Sequence, residues 1–123
     1  MAVSYSEIRR LALALPGVSE GQAYGGPSLH VGRKFLGRLR EDGETFVLKI
    51  DLSKRAQLLE SSPDEFFLTD HYRPYPYVLV NLLAAKTATL KPLIERSWRM
   101  IASKKAILAY DESKASPRLR KEG

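Results

Sequence analysis

The sequence has no cysteine among its 123 residues. That excludes disulfides, thiolate catalysis and cysteine metal sites. Histidine is scarce, present only as His30 and His71. A histidine–carboxylate metal site needs two or three further ligands, and no spacing here supplies them. No metal and no cofactor is therefore expected. No apolar run approaches the ~18 residues of a membrane span, so no membrane partner is expected. The opening MAVSYSEIRR carries acid and base where a secretory signal needs an apolar stretch. With the missing cysteine, this sets the expectation of a cytoplasmic protein. The G-x-S-x-G elbow, the phosphate-binding Walker loop and the dinucleotide G-x-G-x-x-G are also missing, so the expectation is a non-enzymatic domain. Gly25-Gly26-Pro27-Ser28 comes nearest to a phosphate loop, but a strand pattern follows it rather than a helix start.

What is present is enough for one core. Apolar residues make up 44% and charged residues 28%, too apolar for a disordered chain. Residues 1–110 read as a single domain and 111–123 as a polar, flexible tail. Ser4 and Glu7 form a capping box, and Ile8, Leu11, Ala12 and Leu15 follow as a helical stripe that ends at Pro16-Gly17. Four glycines and a proline make residues 17–27 a loop. Three extended runs follow, Ser28–Val31, Lys34–Arg40 and Thr45–Ile50, read as an antiparallel meander. Strict alternation puts Phe35, Gly37 and Leu39 on the core face with Phe46, Leu48 and Ile50. Lys34, Leu36, Arg38 and Arg40 then point away, with Arg40 opposite Thr45, Arg38 opposite Val47 and Leu36 opposite Lys49. A second helix starts at Leu52-Ser53 with Ser53 as N-cap and stops before Pro63. EFFLTD is extended, and Tyr77–Leu82 is a further strand. A third helix starts near Thr89 with Pro92 in its first turn and Leu90, Leu93, Ile94, Trp98 and Ile101 as its stripe. A last helical piece runs from Lys104 to about Tyr110. The apolar faces should meet, with Phe35, Leu39, Phe46, Leu48 and Ile50 packing on Leu11, Leu15, Ile94 and Trp98.

Two constellations carry chemistry. The net charge is +6, and Arg33, Lys34, Arg38 and Arg40 crowd the stretch RKFLGRLR. With Lys49, they define a basic hairpin face suited to phosphates, hence weak, sequence-independent DNA binding. His30 lies beside this face. The second constellation is the loop HYRPYPY, where His71, Tyr72, Arg73, Tyr75 and Tyr77 interleave base and aromatic, with Tyr24 in the glycine-rich loop. Such rings stack on bases or line a small-ligand pocket. The alternative functions are thus a small-ligand binder at this loop, or an interaction module with a protein partner. Trp98 lies on an apolar stripe and reads as core.

Several strings resemble the MmcQ/YjbR family of small bacterial proteins: LPGVSEG at 15–21, YGGPSLHV at 24–31, KFLGRL at 34–39, VLKID at 47–51, FFLTDHYRPYPYVLV at 66–80 and LIERSWRMIA at 93–102. The resemblance implies a two-layer α+β domain, an antiparallel sheet with helices on one face, shaped like type III secretion chaperones and the frataxin-like fold. It also implies a DNA-binding label, with no catalytic residues to carry over. Iron binding of the frataxin kind would need an acidic ridge, which the positive charge balance here opposes.

Overall fold

The computed structural model describes residues 2–23 and 25–122, the segment 115–122 by its backbone alone. Helix α1 spans Tyr5–Leu13, and the Ser4 hydroxyl accepts from the Glu7 N–H, one half of the expected capping box, while the Glu7 carboxylate takes the Arg10 guanidinium. Six strands follow: β1 (Val18–Ala23), β2 (Gly26–Val31), β3 (Lys34–Leu39), β4 (Thr45–Lys49), β5 (Phe66–Phe67) and β6 (Tyr77–Asn81). Helix α2 (Leu52–Ser61) lies between β4 and β5, and α3 (Thr87–Ile101) and α4 (Lys104–Glu122) close the chain. The strands form one antiparallel sheet in the order β1-β2-β3-β4-β6-β5.

The α+β, two-layer expectation holds, and the third helix buries the stripe Leu90, Leu93, Ile94, Trp98 and Ile101. These side chains pack with Ile8, Ala12 and Leu15 of the α1 segment onto Leu29, Phe46, Leu48, Ile50, Val78 and Val80 of the sheet. Trp98 is 0% exposed, and its indole N–H donates to the Pro16 carbonyl at 2.8 Å. The Ser97 hydroxyl donates to the Lys49 carbonyl, tying α3 to the end of β4.

Several expectations are corrected. Residues 18–23 form β1 rather than loop, paired from Val18 opposite Val31 to Ala23 opposite Gly26. As an edge strand, β1 needs no continuous apolar face, so its glycines are tolerated. Asp51, not Ser53, caps α2: its carboxylate accepts from the Lys54 N–H and also takes the Arg96 guanidinium at 2.7 and 3.1 Å. Helix α3 starts two residues early, so Pro92 sits in its second turn. Helix α4 continues to Glu122, well past Tyr110, and Asp111 within it pairs with Arg99 of α3 at 2.6 Å.

The most consequential correction lies in β3. Its pairing with β4 is as expected, Arg38 opposite Val47 and Leu39 opposite Phe46. Against β2, however, Leu29 faces Gly37 while the next residue, His30, faces Phe35. Leu36 is thus the extra residue of a β-bulge, which breaks the alternation. Leu36 turns into the core and is 1% exposed. Phe35 turns to the opposite face and does not pack on α1 and α3. Gly37 is required beside it, since a Cβ there would lie 2.5 Å from the Phe46 ring and 2.6 Å from the Val47 carbonyl.

Candidate binding pocket on the open face of the sheet

The helices cover one face of the sheet, and the chemistry-bearing side chains gather on the other. Alternation along β4 and β6 sends Val47 and Leu79, which pair across the strands, to this second face. Both are buried there although no helix covers them. The cover is the loop 68–76, which folds back over the sheet between β5 and β6.

Between loop and sheet lies a cavity of about 710 Å³. Its floor is Val47, Arg38, His30 and Phe35, its wall is His71, Tyr72, Tyr75 and Tyr77, and Ala23 of β1 closes one side. The rings meet edge to face: His30 on Phe35 at 5.9 Å, Phe35 on Tyr77 at 5.7 Å, Tyr72 on Tyr77 at 6.1 Å and His71 on Tyr72 at 4.8 Å. That geometry suits the ring quadrupoles and presents both edges and faces to the cavity. The β-bulge is what brings Phe35 here.

Two polar groups have fixed partners. The Arg38 guanidinium donates from Nη2 to the Tyr72 hydroxyl at 3.1 Å, and Nη1 lies 3.6 Å from the Glu41 carboxylate. The Glu41 carboxyl is held below its ordinary range, first by its own backbone N–H and then by Arg38. His30 Nε2 lies 2.7 Å from the Ser28 hydroxyl. The imidazole lies across Gly21 of β1, whose Cα would carry a Cβ 3.3 Å from the ring, so the small residue there leaves room for it.

The loop is anchored from α2. Arg55 donates to the carbonyls of Tyr75 at 2.7 Å, Arg73 at 3.1 Å and Tyr77 at 3.3 Å. The Asp51–Arg96 pair in turn holds the start of α2 against α3.

The sequence-derived site residues separate into two outcomes. His71, Tyr72, Tyr75 and Tyr77 come together as the pocket wall. Arg73 points outward and pairs with Asp70 at 3.6 Å. Tyr24 lies outside the described residues. The basic hairpin face, by contrast, is not one surface. Arg38 is only 8% exposed and belongs to the pocket floor, not to a solvated face. Lys49 is half-buried, its ammonium 6.0 Å from the Tyr77 ring. Arg33 and Lys34 are exposed at the β2–β3 turn and border a separate cavity of about 420 Å³ with Pro16, Ile101 and Ser103. Arg40 is half-buried beyond the far end of β3. Phe35, Val47, Ser28, Gly21 and Arg55 contribute to the site without having been singled out for it. A bulge and a helix-to-loop clamp leave no periodicity that would have signalled them. Among the described residues, no group of three or more His, Asp or Glu is placed to hold a metal ion. No described helix is long and apolar enough to cross a membrane.

A helix-backed antiparallel sheet with an aromatic pocket under a loop on its open face defines the class. Residues 13–100 match the YjbR family model, and the chain belongs to the YjbR family. A Deinococcus radiodurans protein, DR2400, described with the domain DUF419, is similar in fold. It is 18% identical over 83% of this chain and 80% of its own, with a TM-score of 0.69. No curated protein gives a significant match.

Proposed function

We propose that this domain binds a small planar ligand in the pocket between the loop 68–76 and the sheet. The observation that carries this reading is the roughly 710 Å³ cavity walled by His71, Tyr72 and Tyr75 of the loop with Tyr77 of β6, and floored by Phe35, Val47 and Arg38. Its size falls within the usual range for small-molecule sites, and so does a largely apolar lining with a few fixed polar groups. Stacking on Tyr72, Tyr75 or Tyr77 supplies affinity without demanding one particular ring.

Binding without catalysis is the favoured reading. Ser28 and His30 have the spacing of a nucleophile and base, but Ser28 is 0% exposed, so no substrate reaches its hydroxyl. DNA binding through the hairpin has less support than the charge count implied, because Arg38 is buried and Arg33 and Lys34 sit apart from Arg40.

The test is a library of planar aromatic compounds scored by amide NMR shifts on the labelled full chain. Binders are expected to move His30, Phe35, Arg38, Val47 and residues 71–77. The reading fails if no compound moves them at millimolar concentration. It is replaced if only single- or double-stranded oligonucleotides bind, with shifts centred on Arg33, Lys34 and Lys49 and affinity falling steeply with salt.

A further inference from the structure

We infer, building on the proposed pocket, that its ligand carries a carboxylate on a planar aromatic ring, and that Arg38 is the residue that selects it. Among the described lining residues Arg38 is the one fixed charge, and none is aspartate or glutamate. The site therefore offers a positive floor and no negative one. A cationic ligand would meet a like charge there. An anion or a strong acceptor would be drawn in.

The position of Arg38 makes it a selector rather than a surface steering charge. Its side chain is only about a tenth exposed, and the Tyr72 hydroxyl fixes one end of the guanidinium fork. The Glu41 carboxylate that pairs with it stands off at 3.6 Å and is 74% exposed, so water screens much of that attraction. A ligand carboxylate reaching the floor would sit in a drier place than Glu41 and make charge-assisted bonds to a planar, preorganised donor. The Tyr72 hydroxyl, whose oxygen already accepts from Arg38, keeps its own proton to donate to the same anion. Phe35 and Tyr77, set at 81° to each other, then take the ring of that ligand on a face and an edge.

The experiment compares 2-naphthoate with its neutral isostere 2-naphthamide, titrated into the full chain and followed by amide NMR and calorimetry. The expected result is a preference for the acid of about 10- to 100-fold, the range that one charged hydrogen-bonded partner gives. In Arg38→Met the preference should shrink to within about 3-fold, with the retained fold checked by the dispersion of the amide spectrum. Arg38→Lys keeps the charge but loses the fork, so it should fall between the two. If acid and amide bind the pocket equally in the wild type, the inference is overturned while the pocket reading stands. This outcome needs no variant, so a misfolded Arg38→Met does not rescue the inference. If the acid binds but its shifts centre on Arg33 and Lys34, the inference is again overturned. If neither compound nor any other aromatic binds, the pocket reading falls as well.

Discussion

The two faces of the sheet are built from the same strands, yet they are finished in different ways. The helix side is closed by Leu36, Phe46, Leu48, Ile50, Val78 and Val80 against α1 and α3, and every one of these is at most 2% exposed. The other side is closed by a single loop, which leaves a cavity lined by half-exposed rings and a buried arginine. Close-packed interiors exclude ligands because they hold few voids larger than a water molecule. A loop held by hydrogen bonds to its carbonyls can leave such a void. The contrast teaches that close packing and an open cavity fall on opposite faces, and that the facing of each strand residue, bulge included, decides which of the two it lines.

The largest expected effect tests the closed face. Trp98→Ala removes the biggest fully buried side chain together with its bond to Pro16. It should cost about 3–5 kcal/mol in denaturant unfolding followed by circular dichroism. That is a large share of the ~5–15 kcal/mol typical of a domain. A loss under about 1 kcal/mol would show that the helix layer is not the main source of stability.

The comparison is sharpest at two adjacent residues. Leu36→Ala should cost about 2–5 kcal/mol, since the bulge turns Leu36 into the core. Phe35→Ala, one residue away, should cost much less because the ring is only half-buried on the pocket side. It should instead weaken ligand binding. Strict alternation along β3 would reverse the order, so equal or inverted losses in unfolding experiments would remove the bulge from the explanation.

These two residues also mark how far the sequence could be read. The Ser4 cap of α1, the stripe of α3 and the pairing of Arg38 with Val47 were legible because each rests on a local period or a local bond. The tyrosine loop was legible as a composition, since HYRPYPY has the prolines and rings of a rigid wall. The bulge was not legible: one inserted residue inverts the facing of Phe35 and Leu36 while leaving the apolar content unchanged. The basic face failed for a related reason. The bulge breaks the alternation between Lys34 and Arg38, and the burial of Arg38 depends on the fold-back of a loop more than thirty residues on, as the Arg38–Tyr72 bond shows. The sequence pattern puts the N-cap of α2 too late, at Ser53, because serine and aspartate cap equally well and the bond from the Lys54 N–H to Asp51 shows only in the structure.

The next effect concerns the support beneath the pocket loop. The Asp51 carboxyl is pushed far below its ordinary range, chiefly by the hydrogen-bonded Arg96 guanidinium and further by the Lys54 N–H. A carboxylate with a depressed pKa in the folded state stabilises it above the ordinary value near ~4 and loses that contribution as pH falls through the folded value. Stability should therefore decline from about pH 5 downward. Asp51→Ala should lower stability by about 1 kcal/mol near neutral pH through the lost cap and pair. Asp51→Asn keeps a capping side chain, so it should lose less at pH 7 and show a flatter acid limb. Parallel acid limbs for wild type and Asp51→Asn in pH-dependent melting would place the acid sensitivity elsewhere.

The smallest expected effect on stability is the most informative about the open face. Arg55 reaches from α2 to the carbonyls of Arg73, Tyr75 and Tyr77. It is half-exposed, so much of what its charge contributes is offset by water, and Arg55→Ala should lower global stability by only about 0.5–1.5 kcal/mol. Locally the consequence is larger. The loop closes over the sheet with few apolar anchors of its own, and segments of that kind open well below the global unfolding free energy. Removing the clamp should speed amide hydrogen exchange at Tyr72, Arg73 and Tyr75, whose N–H groups bond within the turns of the loop. Exchange at Phe46, Leu48 and Val80, in the strands beneath, should change only by the global amount. Any ligand of the pocket should bind more weakly to the variant, because the wall must first be ordered before its rings can stack. Arg55→Lys supplies charge without a fork and should restore only part of the protection. If exchange instead rises equally in loop and strands, the loop is not a separately opening unit, and the two faces of the sheet share one cooperative fate.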